Sequence, residues 1–247
     1  MNFPVYFWLG DWRIHPHVLF ESLAYAIAFR LVLRNSRKDT IPPTQRSSVI
    51  VGGMVGALLG AKGLVLLQHI DFILQNQQQF LLLLVQGKTI VGALLGGLIG
   101  VELTKKLLGI KRSTGDVFVY PLILGTAVGR IGCFLTGLSD RTYGIATTLP
   151  WGVDFGDGIY RHPTQIYEII FLLVLIVFLQ VRSRYQREEG DLFKFYLVAY
   201  LGFRFLIDFI KPDFHPILGI SAIQIACLLG LSYYYRSIAK LFNFIPQ

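Results

Sequence analysis

An arginine stands in the middle of hydrocarbon. From Val117 to Leu135 the chain is almost wholly apolar, yet Arg130 interrupts it. Arg204 and Asp208 interrupt a second apolar run, and a third opens on Arg161-His162-Pro163-Thr164-Gln165-Ile166-Tyr167-Glu168. A guanidinium in a bilayer is costly, and chains that keep one there use it for a ligand or a pathway. Two such arginines point to an anionic group held inside a membrane.

The membrane reading rests on composition. Hydrophobic residues make up 53% of the 247, charged residues only 15%, and the mean hydropathy is +0.56. A soluble domain carries about 25% charge. The net charge of +8 would suit nucleic acid, but the basic residues sit in short loops beside apolar runs. That pattern is a topology signal rather than a binding groove, and no nucleic-acid partner is expected.

Seven apolar runs are near the roughly 20 residues that a bilayer requires. They cover about 18–34, 47–68, 89–108, 116–137, 164–181, 191–210 and 216–235. The expected fold is all-α, a single transmembrane domain over 1–247 with about seven helices. Phe80 to Val85 is too short to span, and Gln75 to Gln79 reads as a polar loop. Loops after the first, third, fifth and seventh runs carry 13 lysines and arginines, against five on the other side. The positive-inside rule then places the N-terminus outside and the C-terminus in the cytoplasm. No signal peptide is expected, because the first residues lack a basic segment and a small-residue cleavage site. Their aromatics read as an interfacial anchor.

With that topology, Glu21, Arg130, Glu168, Arg204, Asp208 and Lys62 fall in the outer half of the membrane, with His15, His17, Arg161 and His162 at its mouth. Plainer roles stand beside the functional ones. Arg204 and Asp208, four apart, can neutralise one another. Lys62 can reach the interface along its stem. Glu168 can orient an arginine. Cys133 and Cys227 lie inside apolar runs, so neither a disulfide framework nor a zinc site is expected. Cys133, three residues after Arg130, is a candidate nucleophile, but nothing basic adjoins it and small cysteines are common in membrane helices; Cys227 reads as packing. Glycines recur four apart at Gly52, Gly56 and Gly60, at Gly92, Gly96 and Gly100, and at Gly125 and Gly129. That spacing lets helices approach closely in lipid. Gly87-Lys88-Thr89 mimics the end of a phosphate loop, but Leu82 stands where the first glycine belongs, and no nucleotide site is expected.

Several segments resemble the bacterial prolipoprotein diacylglyceryl transferases. They are Gly96-Gly97-Leu98-Ile99-Gly100, Gly129-Arg130-Ile131-Gly132-Cys133-Phe134, Leu149-Pro150-Trp151-Gly152-Val153, the Arg161 to Glu168 segment, and Tyr200 to Asp208. The resemblance implies seven spans in the inner membrane and transfer of a diacylglyceryl group from phosphatidylglycerol to the lipobox cysteine of a prolipoprotein. It implies no cofactor and no metal, and prolipoprotein signal peptides as partners. Arg130 and Arg204 would grip the lipid phosphate, oriented by Glu168 and Asp208. Gly96, Gly97, Gly129, Gly132, Gly144, Arg161, Gln165 and Tyr167 would line the substrate. The chain departs from the family at four points. The histidine position before Gly96 is Leu95, an asparagine position is Cys133, a glutamate position falls near Leu138, and a Trp-Gly pair becomes Tyr143-Gly144. The lost histidine leaves His162 as the first candidate for acid–base chemistry, with His15 and His17 behind it. A non-catalytic phospholipid-binding protein of the same fold is the alternative. A transporter of an anionic solute fits less well, since no internal repeat is visible.

Overall fold

The computed structural model describes residues 3–36, 41–76, 78, 80–184, 188–212, 219–236 and 238. The charged loop residues Arg37, Lys38, Arg187 and Lys240 and part of the Gln75 to Gln79 loop lie outside them. The elements in chain order begin with a hairpin, β1 (Phe7–Leu9) and β2 (Trp12–Ile14). Then come α1 (Pro16–Ser36), α2 (Pro43–Gln68), α3 (Ile70–Gln75), α4 (Phe80–Gln86), α5 (Ile90–Leu107) and α6 (Val119–Thr136). A second small hairpin, β3 (Val153–Asp154) and β4 (Tyr160–Arg161), precedes α7 (Thr164–Arg182), α8 (Asp191–Ile207) and α9 (Ala222–Tyr233). The seven apolar runs thus appear as the seven longest helices among the described residues.

Among the described residues, four helical stretches are long and apolar enough to cross a membrane: Pro16–Asn35, Pro43–Gln68, Gly115–Asp140 and Thr164–Arg182. The chain is therefore a mostly helical, multi-pass membrane protein. Helix α5 spans 18 residues but carries Glu102, Lys105 and Lys106 near its end, and α9 has only 12. Glu102 pairs with the buried Lys105 at 2.8 Å.

Packing divides the chain into two compact units. Unit 1 comprises residues 1–39, 114–196 and 209–212; unit 2 comprises 40–113, 197–208 and 213–247. In unit 1, α6 packs along α1 and against α7. Gly132 is where α1 comes nearest, since a Cβ there would meet the Phe20 side chain at 2.7 Å and the Pro16 carbonyl at 3.3 Å. Asp116 closes the start of α8 by accepting from the backbone N–H of Gly190 and Phe193 at 3.0 and 2.9 Å. The N-terminal hairpin leaves Trp8, Leu9 and Trp12 exposed, as suits an aromatic anchor at a membrane interface.

In unit 2, α2 lies against α5 over most of its length. Gly56 and Gly60 face Gly92, Gly96 and Gly100 so closely that a Cβ on either helix would strike the other's backbone carbonyls. The glycine spacing in the sequence is this contact. Lys62 reaches the end of α4. Its Nζ donates to the carbonyls of Val85 and Gly87 at 2.8 Å each and so closes the end of α4. Leu95, in the family's histidine position, packs toward Gly230 of α9 beside Leu201.

Candidate functional site

In unit 1 the polar residues gather where the first turns of α1 and α7 meet the end of α6. Arg130 is buried, and its Nε lies 2.8 Å from Oε2 of the buried Glu168. Two charges taken out of water hold only if they meet with good geometry. The arginine that Glu168 faces is Arg130. Three residues further along α6, the Cys133 sulfur lies 3.9 Å from Nη1 of Arg130.

A second chain of polar contacts begins on α7. Gln165, buried, donates from Nε2 to Oγ1 of Thr142 at 3.0 Å. Thr142 donates to Oδ2 of Asp140 at 2.5 Å. The other oxygen of Asp140 lies 2.8 Å from Nδ1 of His17. Nε2 of His17 in turn lies 3.1 Å from Oε2 of Glu21, one turn along α1. Tyr25 donates to that carboxylate at 3.0 Å. Cys133 completes the group: donor atoms of His17, Cys133 and Asp140 all lie within 4.8 Å of one another. Sequence reasoning missed this cluster. Asp140 carries no motif signal, and a basic neighbour for Cys133 comes from a helix far away in sequence.

Above this layer, His162 sits against the β3–β4 hairpin. Its Nδ1 is 3.1 Å from the Tyr167 hydroxyl, which also accepts from Nε1 of Trp151 at 2.8 Å. Gly144 hydrogen-bonds through its N–H to the His162 carbonyl at 2.8 Å. A Cβ there would meet His162 at 2.7 Å and the Ile210 carbonyl at 2.8 Å, so only glycine fits. Thr164 ties the start of α7 to the Thr142 carbonyl through its hydroxyl. Arg161 pairs with Asp157 at 2.6 Å and donates to the Ile159 carbonyl at 3.2 Å, its guanidinium 5.1 Å above the Tyr143 ring. The Arg161 guanidinium holds the Asp157 carboxyl below the usual carboxylate range, and Asp157 raises Arg161 in return.

Unit 2 holds the other arginine. Arg204 lies 3.6 Å from Asp208, both buried. Ser221 donates its hydroxyl to Asp208 and accepts from the Gln224 N–H at 3.0 Å. Gln224 returns a bond to the Ser221 N–H at 2.9 Å, completing a capping box at the start of α9. Its amide reaches the Phe205 carbonyl at 3.1 Å. Asp208 thus meets a serine hydroxyl and the Arg204 guanidinium together.

The glycines named from the sequence fall in different settings. Gly132 faces α1, as described. Among the described residues no atom lies within 4 Å of where a Gly129 Cβ would stand. Gly96 faces α2 directly, and Gly97 faces Ala57 and the Gly53 carbonyl of the same helix.

Comparison with known proteins agrees with the motifs. The profile of the family described as prolipoprotein diacylglyceryl transferase matches residues 4–240. Similar proteins include a phosphatidylglycerol–prolipoprotein diacylglyceryl transferase of Clostridium tetani, 33% identical over 85% of this chain and 86% of its own. A protein of the same description from Geobacter sulfurreducens is 30% identical over 85% and 83% of the two chains. One from Bordetella parapertussis is 33% identical over the same shares. A match over nearly the whole length, together with a buried arginine clamped by glutamate in an apolar helix, shows that this chain belongs to the prolipoprotein diacylglyceryl transferase family.

Proposed function

We propose that the protein transfers a diacylglyceryl group from phosphatidylglycerol to the cysteine thiol of a prolipoprotein. The observation that carries this is Arg130, buried in an apolar span and held by Glu168 at 2.8 Å. The thiolate sulfur attacks the glyceryl carbon, a C–S bond forms, and the C–O bond to phosphate breaks. Glycerol 1-phosphate leaves with the electron pair, so charge grows on the phosphate. An arginine fork binds such a group through two parallel bonds, and a water-poor setting strengthens the effect. Arg130 is assigned to the phosphate. Arg204, oriented by Asp208, carries the same chemistry in its own unit.

The thiol proton needs an acceptor, and Leu95 offers none. His162 is assigned that role. The Tyr167 hydroxyl holds its ring at Nδ1, Trp151 holds that hydroxyl in turn, and imidazole is the commonest general base. Gln165, Tyr167, Arg161 and Gly144 support this region, and Gly129 leaves room for a lipid chain. Gly96 and Gly97 set the thickness of the α2–α5 pair.

The chain is read as one transmembrane domain of about seven helices in the bacterial inner membrane, N-terminus outside and C-terminus inside, with prolipoprotein signal peptides as partners. The 13-to-five charge bias supports that orientation. The test mixes purified protein, phosphatidylglycerol and a lipobox peptide. Release of glycerol phosphate together with a peptide heavier by one diacylglyceryl group is the expected result. Tight lipid binding without either product would favour the non-catalytic lipid-binding role.

A further inference from the structure

The mechanism above leaves one cluster unused: His17, Cys133 and Asp140, with Glu21 behind the imidazole. Its three donors are a nitrogen, a sulfur and an oxygen, mutually within 4.8 Å. A tetrahedral ion with bonds of about 2.0–2.3 Å needs its donors roughly 3.3–3.8 Å apart. Side-chain rotation covers the difference. We propose that His17, Cys133 and Asp140 form a binding site for a borderline-soft divalent metal ion of the zinc class.

Three features favour a metal ion here over a simple hydrogen-bonded cluster. The donor set contains a thiol, and sulfur with imidazole selects zinc-like ions over magnesium or calcium. A thiolate and a carboxylate neutralise a divalent ion, so the occupied site adds no net charge where solvation is poor. Finally, the supporting contacts match those of metal sites. With Nδ1 on the ion, Nε2–H donates to Glu21 at the observed 3.1 Å. That is the carboxylate–histidine–metal arrangement which fixes the ring and its tautomer. Asp140 keeps one oxygen for the ion while Thr142, itself held by Gln165, donates to the other. Binding displaces the proton shared by His17 and Asp140 and the thiol proton of Cys133. Three protein donors leave one coordination position for solvent or an incoming group. The expectation of no zinc site rested on both cysteines lying inside apolar runs; the site proposed here arises because the helix carrying His17 packs onto Gly132.

The test uses cobalt(II) as probe on the full chain in detergent, with no lipid substrate. One equivalent should give the sulfur-to-cobalt charge-transfer absorption in the near ultraviolet, and zinc should bleach it. Cys133→Ser should abolish the band, and Cys227→Ser should leave it unchanged. Glu21→Gln should keep the band while weakening affinity about 10–100-fold. A folded parent protein that shows no band overturns the proposal, whatever the variants do. So does a band that survives Cys133→Ser. Because no lipid or turnover enters the measurement, failure here leaves the transferase assignment standing, and failure of the transferase assay leaves the metal site standing.

Discussion

Arg130 is an arginine with no water to fall back on, so its environment has to supply what solvent would. Glu168 does so at 2.8 Å. Removing one partner of a buried pair strands the other, at a cost of about 3–5 kcal/mol. Glu168→Gln should therefore lower thermal stability sharply in detergent, and a change near zero would show that Glu168 is not the counter-ion. Arg130→Lys asks a different question, because it keeps the charge and loses the planar fork. Preference for phosphatidylglycerol over neutral diacylglycerol should fall nearly as far as in Arg130→Ala. Normal selectivity in both variants would make Arg130 a structural ion-pair member only. His162 is tested by separating rate from binding. His162→Asn should cut turnover by about 10²–10⁴ while phosphatidylglycerol binding holds, and a parent-like rate would remove His162 from the chemistry.

Between elements, energy is set by how closely backbones approach. The α2–α5 pair makes its contact through glycines, and the sequence announces this by their spacing of four. What spacing alone does not reveal is which glycines carry it. Gly96 would drive a Cβ into the Gly56 carbonyl, whereas a Cβ on Gly63 of the same pair meets nothing within 4 Å. Gly96→Ala should destabilise by about 1–3 kcal/mol. Gly63→Ala should be neutral or stabilising by about 0.5–1 kcal/mol, since alanine only restrains the unfolded chain. Equal thermal unfolding midpoints for the two would mean that the helices do not meet as described. The helices and the glycine contact were legible because each follows from a local period. The two hairpins were not, since strands of two or three residues are shorter than any pattern an alternation test can register. The role of Lys62 was missed for a related reason: the carbonyls it caps belong to the break between the short α4 and α5, and no side chain marks them.

Across the whole molecule, the sequence was most informative where a bilayer imposes one rule on every segment, and least where distant segments meet. Arg130, Glu168, Arg204 and Asp208 stood out because charge in hydrocarbon is rare. Asp140 did not, since an aspartate in a turn is ordinary, and His17 stood out only as a reserve acid–base candidate. Only the packing of α1 on α6 makes them neighbours of Cys133. Orientation is the remaining property that acts on the chain as a whole, and the loop charges bear directly on it. Transfer of a lipid group to an exported prolipoprotein requires the His17 and His162 ends of α1 and α7 to face outward. Asp157, in the turn between β3 and β4, and Glu188, between α7 and α8, are both exposed and lie at opposite ends of α7. In a chain with Cys133 and Cys227 replaced by serine, Asp157→Cys should react with an impermeant thiol reagent added to intact cells. Glu188→Cys should react only after the membrane is opened. The reverse pattern would put the arginine-bearing layer on the cytoplasmic side, where no exported thiol reaches it, and the proposed acceptor would have to be abandoned along with the orientation.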